Sequence, residues 1–241
     1  TYDDDVLKDL LNSDLDLSYD RFMDNFIKTS LSYTGERYKV ALPWIEPVNI
    51  RSNYLMAKDR VEKYIRSLEK KQTLNRYEAK LMEFVELNFA EEVTRNEHSD
   101  RVNYIPHHGV DQHKESTKLR VVMDGSATVK DGKSLNDNLF KGVTSWDSWT
   151  LLHKFRLGPY ALSADIEKAF LMIEVDERDR DALRFLWIDA NGKIRVYRFC
   201  RVPFGLSCSP FLLYVVIQHH LKSMSEEFPE TADFLRDKFY V

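Results

Sequence analysis

Hydrophobic residues recur along this chain at two periods, and the switches between them mark its elements. Tyr54, Ala57, Val61, Tyr64, Ile65 and Leu68 fall at helical spacing and predict an amphipathic helix over 51–70. A second helix is expected from about Asn75, with Glu78 in capping-box spacing and Leu81, Phe84, Val85 and Phe89 facing inward. Phe22, Phe26 and Ile27 predict a shorter helix ending near Ser30. Trp149, Leu152 and Phe155 predict a core-facing stripe on a helix over 146–155. Phe211 to Ile217 is apolar all round, which predicts a buried helix with Ser209 as N-cap and Pro210 at its first position. His219, His220 and Lys222 complement the dipole near its end. Ala232 to Lys238 suits a short helix or the run-up to a strand.

The period of two predicts strands elsewhere. Tyr38, Val40 and Leu42 share one face of a strand over 36–42, which Pro43 and Pro47 end. Val102 to Pro106 and Thr117 to Met123 are expected to form a hairpin with a polar tip at 107–116. Leu183 to Ile188 and Ile194 to Phe199 form a second hairpin, turned at Asn191-Gly192, where both residues tolerate positive φ. Gly125 to Ser145 reads as loop, and Gly158-Pro159 as a break.

Two stretches carry chemistry. From Tyr160 to Asp165 the larger side chains alternate with small ones, which predicts a strand that delivers one carboxylate to an open surface. Phe170 follows five residues after that acid. The pattern suits a metal-bound nucleotide, and it suits equally an exposed Asp that closes a half-buried strand. On the returning hairpin strand Leu119, Val121 and Met123 share one face, while Lys118 and Arg120 share the other, roughly 7 Å apart. With Lys114 these cations suit a triphosphate, Arg as a planar fork and Lys as a mobile point charge. A solvated strand face explains them as well. His107, His108 and His113 cluster without a thiol or acid pattern that completes a tetrahedral zinc set, so they read as a polar fingertip.

Charge narrows the picture little. The net charge is −4, with −6 concentrated in residues 1–20, so the remaining chain carries only +2. A nucleic-acid surface must therefore be a local groove. The absence of an apolar run of about 18 residues argues against a membrane span. The acidic N-terminus lacks the order of a signal peptide, and the start at Thr1 implies a processed product or a fragment. Cys200 and Cys208 have no CxxC spacing and read as reduced thiols.

Four stretches, taken in order, resemble the reverse transcriptase domain of long-terminal-repeat retroelements, and most closely the Pao/BEL retrotransposons. Lys114 to Asp124 (KESTKLRVVMD) resembles the fingers hairpin, led in by Tyr104-Ile105-Pro106-His107-His108. Leu162 to Phe170 (LSADIEKAF) resembles the first catalytic palm motif. Val202 to Pro210 (VPFGLSCSP) resembles the motif that supports template and nucleotide. Phe239-Tyr240-Val241 resembles the opening of a Tyr-x-Asp-Asp motif, whose two aspartates are not in the sequence.

The resemblance implies an α+β fold, the fingers and partial palm of a right-hand polymerase without its thumb. It implies an N-terminal acidic and helical lead-in over 1–100, fingers over about 101–145 and 174–205, and palm over about 146–173 and 206–241. It implies RNA-directed DNA synthesis from deoxynucleoside triphosphates with two Mg²⁺ ions. Asp165 would be the catalytic metal ligand, joined by the carbonyl of Ile166. Lys114, Lys118 and Arg120 would bind the triphosphate, and Phe170 would exclude a ribose 2′-hydroxyl. Phe204 and Gly205 would support the nucleotide, with Tyr240 and Val241 beside the primer end. One catalytic acid of three leads us to expect a fragment impaired by at least about a thousandfold. The implied partners are an RNA or DNA template with primer and the rest of a polyprotein: thumb, RNase H and integrase. The implied location is a cytoplasmic virus-like particle. The alternative is a domesticated relic that binds nucleic acid or nucleotide without catalysis, and a third reading is a purely structural or partner-binding domain.

Overall fold

Among the described residues the strands build three small sheets, and helices supply most of the regular structure between them. The structure is a computed structural model that describes residues 22–94, 101–111, 119–142, 148–157 and 159–239. β1 (Leu31–Tyr33) pairs antiparallel with β2 (Tyr38–Val40), which pairs parallel with β6 (Glu174–Val175). β3 (Ala90–Glu92), β8 (Ile194–Phe199) and β7 (Arg184–Ile188) form an antiparallel sheet in that order. β4 (His107–Asp111) and β5 (Leu119–Met123) form a separate hairpin. The helices are α1 (22–30), α2 (Tyr54–Lys70), α3 (Leu74–Glu86), α4 (Ser148–Phe155), α5 (Ser209–Met224) and α6 (Pro229–Leu235). The class is α+β, as expected. No helix among the described residues is long and apolar enough to cross a membrane.

The β7–β8 hairpin lies at the centre of the core. Phe185, Leu186 and Trp187 are each at most 2% exposed, and burial of such side chains stabilises the fold by about 1.5–3 kcal/mol apiece. Its turn is longer than the Asn-Gly pair alone. Asp189 Oδ1 accepts from the amides of Asn191 and Lys193, and Gly192 has φ +76°. α2 buries Ala57, Val61 and Leu68, as its periodicity requires. α3 buries Leu81 together with Tyr77. Its expected capping box does not form: Thr73 is the N-cap without a side-chain bond, and Glu78 instead accepts from the indole of Trp187 at 2.9 Å. A buried N–H takes precedence over an exposed helix end. α5 is buried nearly all round, from Phe211 to Ile217. Its N-cap is Cys208, because the Ser209 hydroxyl turns back to donate to the Pro203 carbonyl.

Four further expectations fail. The strand that pairs with β5 is β4, not 102–106, where Tyr104 makes only an isolated bridge to Arg184. His107, expected at a polar tip, is therefore buried: Tyr77 Oη and His107 Nδ1 are 2.6 Å apart, and its Nε2 is 2.9 Å from the Leu186 carbonyl. A hydrogen-bonded His with no exposed edge packs like a core residue. α4 forms, yet its stripe is not core, with Trp149 70%, Leu152 52% and Phe155 48% exposed. Amphipathicity identifies a face that can be covered, not the surface that covers it. Residues 160–166 form neither helix nor strand, and Tyr160 and Leu162 are 90% and 94% exposed. Alternation yields a strand only where a neighbour completes the backbone bonds, and no strand among the described residues pairs with this stretch.

Candidate functional site

Three of the motif stretches, far apart in sequence, meet at one place. The turn Val202–Leu206 lies against the end of β5. Gly205 has φ +99°, and a Cβ built there would stand 1.9 Å from the carbonyl oxygen of Met123. Only glycine supplies both the left-handed backbone and the close approach. In return, a Cβ on Gly125 would stand 2.7 Å from the Gly205 oxygen. Asn136, 9% exposed in the loop after β5, joins the two segments. Its Oδ1 accepts from the Ser207 amide at 2.9 Å, and its Nδ2 donates to the Gly205 carbonyl at 3.2 Å. The Ser209 hydroxyl anchors the other side of the turn at Pro203.

This clamped turn presents Phe204, which is 49% exposed, against Phe170. The two rings meet edge to face with centroids 5.0 Å apart, a favourable aromatic geometry. Phe170 lies in a short 3₁₀ helix, Ala169–Met172, entered through Lys168 at φ +52°. That conformation is uncommon for a residue with a Cβ. The Lys168 ammonium lies 6.0 Å from the Phe89 ring centroid, which ties this corner to the core.

Asp165 and Ile166 precede the Phe170 helix in the chain. Both are exposed, and among the described residues Asp165 has no hydrogen-bond or ion-pair partner. Arg120 is exposed on β5, opposite Val110, and among the described residues no hydrogen bond or ion pair links it to Asp165. Phe170, Phe204 and Gly205 are thus brought together, while among the described residues no hydrogen bond or ion pair joins Asp165 or Arg120 to them. Lys114, Lys118, Tyr240 and Val241 lie outside the described residues.

Mg²⁺ takes one or two carboxylates plus phosphate oxygens. The Asp165 carboxylate and the Ile166 carbonyl are two hard oxygen donors on an open stretch, and no group of three His, Cys, Asp or Glu among the described residues could hold a metal. This donor set fits a magnesium ion that arrives with a nucleotide. It does not fit a site built by protein groups alone.

Other chemistry is excluded by burial. The Cys200 and Cys208 thiols are pushed up to about 11 and about 12 by desolvation, so neither is a thiolate nucleophile at neutral pH. His107 is pushed down to about 4, chiefly by burial, and stays neutral. Asp181 is buried between Arg184 and Arg198 in a network that braces β7 and β8 rather than a cleft. A hollow of about 590 Å³ lies elsewhere, between α1 and the chain after β2, and shares no residue with the motif corner. In its wall the buried Asp179 is satisfied by the Leu42 amide and the Trp44 indole. Sequence reasoning missed Asn136, since a lone Asn in a loop gives no signal of the turn it will hold. No protein-family model matches this chain, and no curated protein matches it.

Proposed function

We propose that this chain forms the fingers and part of the palm of an RNA-directed DNA polymerase of the long-terminal-repeat retroelement kind, in a right-hand polymerase fold. The observation that carries the reading is the meeting of Phe170, Phe204, Gly205 and the end of β5 in one corner. Three stretches that the resemblance assigns to one nucleotide site are distant in sequence, and a chance likeness gives no reason for them to converge.

In this reading Asp165 and the Ile166 carbonyl hold the metal that accompanies the nucleotide. When bound, Mg²⁺ draws negative charge from the phosphate oxygens. Arg120, with Lys114 and Lys118, grips the triphosphate. Phe170 occupies the volume a ribose 2′-hydroxyl needs, so selection is by exclusion. Phe204 and Gly205 form the adjoining wall, and Tyr240 and Val241 stand beside the primer end. The partners are template, primer and the remainder of a polyprotein, within a cytoplasmic particle.

Titration with dTTP and UTP in the presence of Mg²⁺ tests the reading. The protein is expected to favour dTTP by about tenfold or more, a ratio that a clash of about 1.4 kcal/mol produces. Phe170→Ala should abolish that preference, and Asp165→Asn should remove the Mg²⁺ dependence. Equal affinity for the two sugars, or binding indifferent to Asp165, would refute it.

A further inference from the structure

Asn136 uses nearly every polar group it has, and its side chain bridges the segment after β5 to the turn at 205–207. Its amide donates to the Gly125 carbonyl at 3.0 Å. Its Nδ2 donates to Ser126 Oγ at 2.9 Å and to the Gly205 carbonyl at 3.2 Å. Its Oδ1 accepts the Ser207 amide at 2.9 Å, and its carbonyl accepts from the Ser207 hydroxyl at 3.5 Å. The side-chain amide thereby contacts the C=O of residue 205 and the N–H of residue 207, the pair a neighbouring strand residue engages in a parallel ladder. One side chain takes the place of a missing strand and fixes the turn that carries Phe204.

The fit leaves no room to substitute another anchor. A Cβ on Gly125 would lie 2.9 Å from Asn136 Oδ1 and 3.1 Å from Nδ2, so the chain beside the carboxamide is bare. Gly205 is held at φ +99° against the end of β5. Phe204 is half exposed, and its one described aromatic partner is Phe170.

We propose that Asn136 is a positioning residue: by clamping the 205–207 backbone it sets where the Phe204 ring meets Phe170, and so sets the sugar selectivity of the nucleotide site, which it never touches. This rests on the polymerase reading for the identity of the ligand. The clamp itself rests only on the hydrogen bonds.

Asn136→Asp separates the two roles of the side chain, because it keeps the shape and the acceptor for Ser207 but loses the donor to Gly205. Two quantities are measured on the full chain: amide hydrogen exchange across 204–207, and the affinity ratio for dTTP over UTP with Mg²⁺. The expected result is faster exchange in that turn and a ratio reduced by about three- to tenfold, the equivalent of one net hydrogen bond. The Mg²⁺ dependence of dTTP binding should stay unchanged, and Asn136→Ala should reproduce the loss. Unchanged exchange overturns the clamp. Faster exchange with an unchanged ratio overturns the positioning role and leaves a structural one. A wild-type protein with no preference between the sugars overturns the polymerase reading, and this proposal with it.

Discussion

Gly205 is the position at which backbone geometry makes its sharpest demand, and Gly205→Ala measures it. Two penalties add. At φ +99° an alanine is strained, by about 1–3 kcal/mol for a sparsely populated backbone region. Its Cβ would also stand 1.9 Å from the Met123 oxygen, where real contacts begin near 3.0 Å, so one backbone must retreat by about 1 Å. That carbonyl belongs to β5, whose last residue pairs with the buried His107, so the retreat disturbs packed structure. Such overpacking costs about 1–3 kcal/mol more. Together the loss should be about 2–6 kcal/mol. Gly192→Ala is the internal control. It has φ +76°, yet nothing lies within 4 Å of its Cβ, so only the strain remains, about 1 kcal/mol. Urea unfolding followed by tryptophan fluorescence reads both, with the buried Trp187 as reporter. With a urea slope of about 2–3 kcal/mol per molar, the two midpoints should differ by about 1 M. Equal midpoints would show that the turn does not rest on Met123, and the convergence of motifs would lose its foundation.

Two further outcomes follow from burial. His107 is held neutral with its pKa lowered to about 4, against about 6.5 in an unfolded chain, so the unfolded state takes up the proton first as pH falls. Stability should therefore be complete above about pH 6.5 and decline by about 3 kcal/mol towards pH 4, a slope that His107→Phe should flatten in thermal melts across that range. Trp149→Ser should change stability by less than about 1 kcal/mol, since 70% of the residue is already in water; a loss of about 3–5 kcal/mol, the cost of truncating a buried aromatic, would show that the α4 face is packed after all.

What the sequence by itself determined is local. Helical spacing placed α2 and α3 and told which of their faces would be inside, because a helix returns every third or fourth side chain to one side whatever surrounds it, and an unbroken apolar run placed α5 as buried. Asn191-Gly192 located the β7–β8 turn, since few residue pairs accept positive φ. The alternation of Leu119, Val121 and Met123 against Arg120 gave the two faces of β5. The candidate Phe170, Phe204 and Gly205 were legible from motif order, as was Pro210 at the start of α5.

The tertiary structure decided everything that depends on a distant partner. His107 reads as polar and exposed until Tyr77 and Leu186, thirty and seventy-nine residues away, close around it. Glu78 reads as half of a helix cap until Trp187 claims its carboxylate. Trp149, Leu152 and the stretch from Tyr160 read as buried, and are not, because periodicity reports a pattern but not whether another surface arrives to cover it. Asn136 has no pattern at all, and gains its role only where folding carries residues 205 and 207 to within hydrogen-bond distance of its side chain. Period and turn chemistry act over a few residues, whereas burial and clamping are properties of pairs that only the closed chain defines.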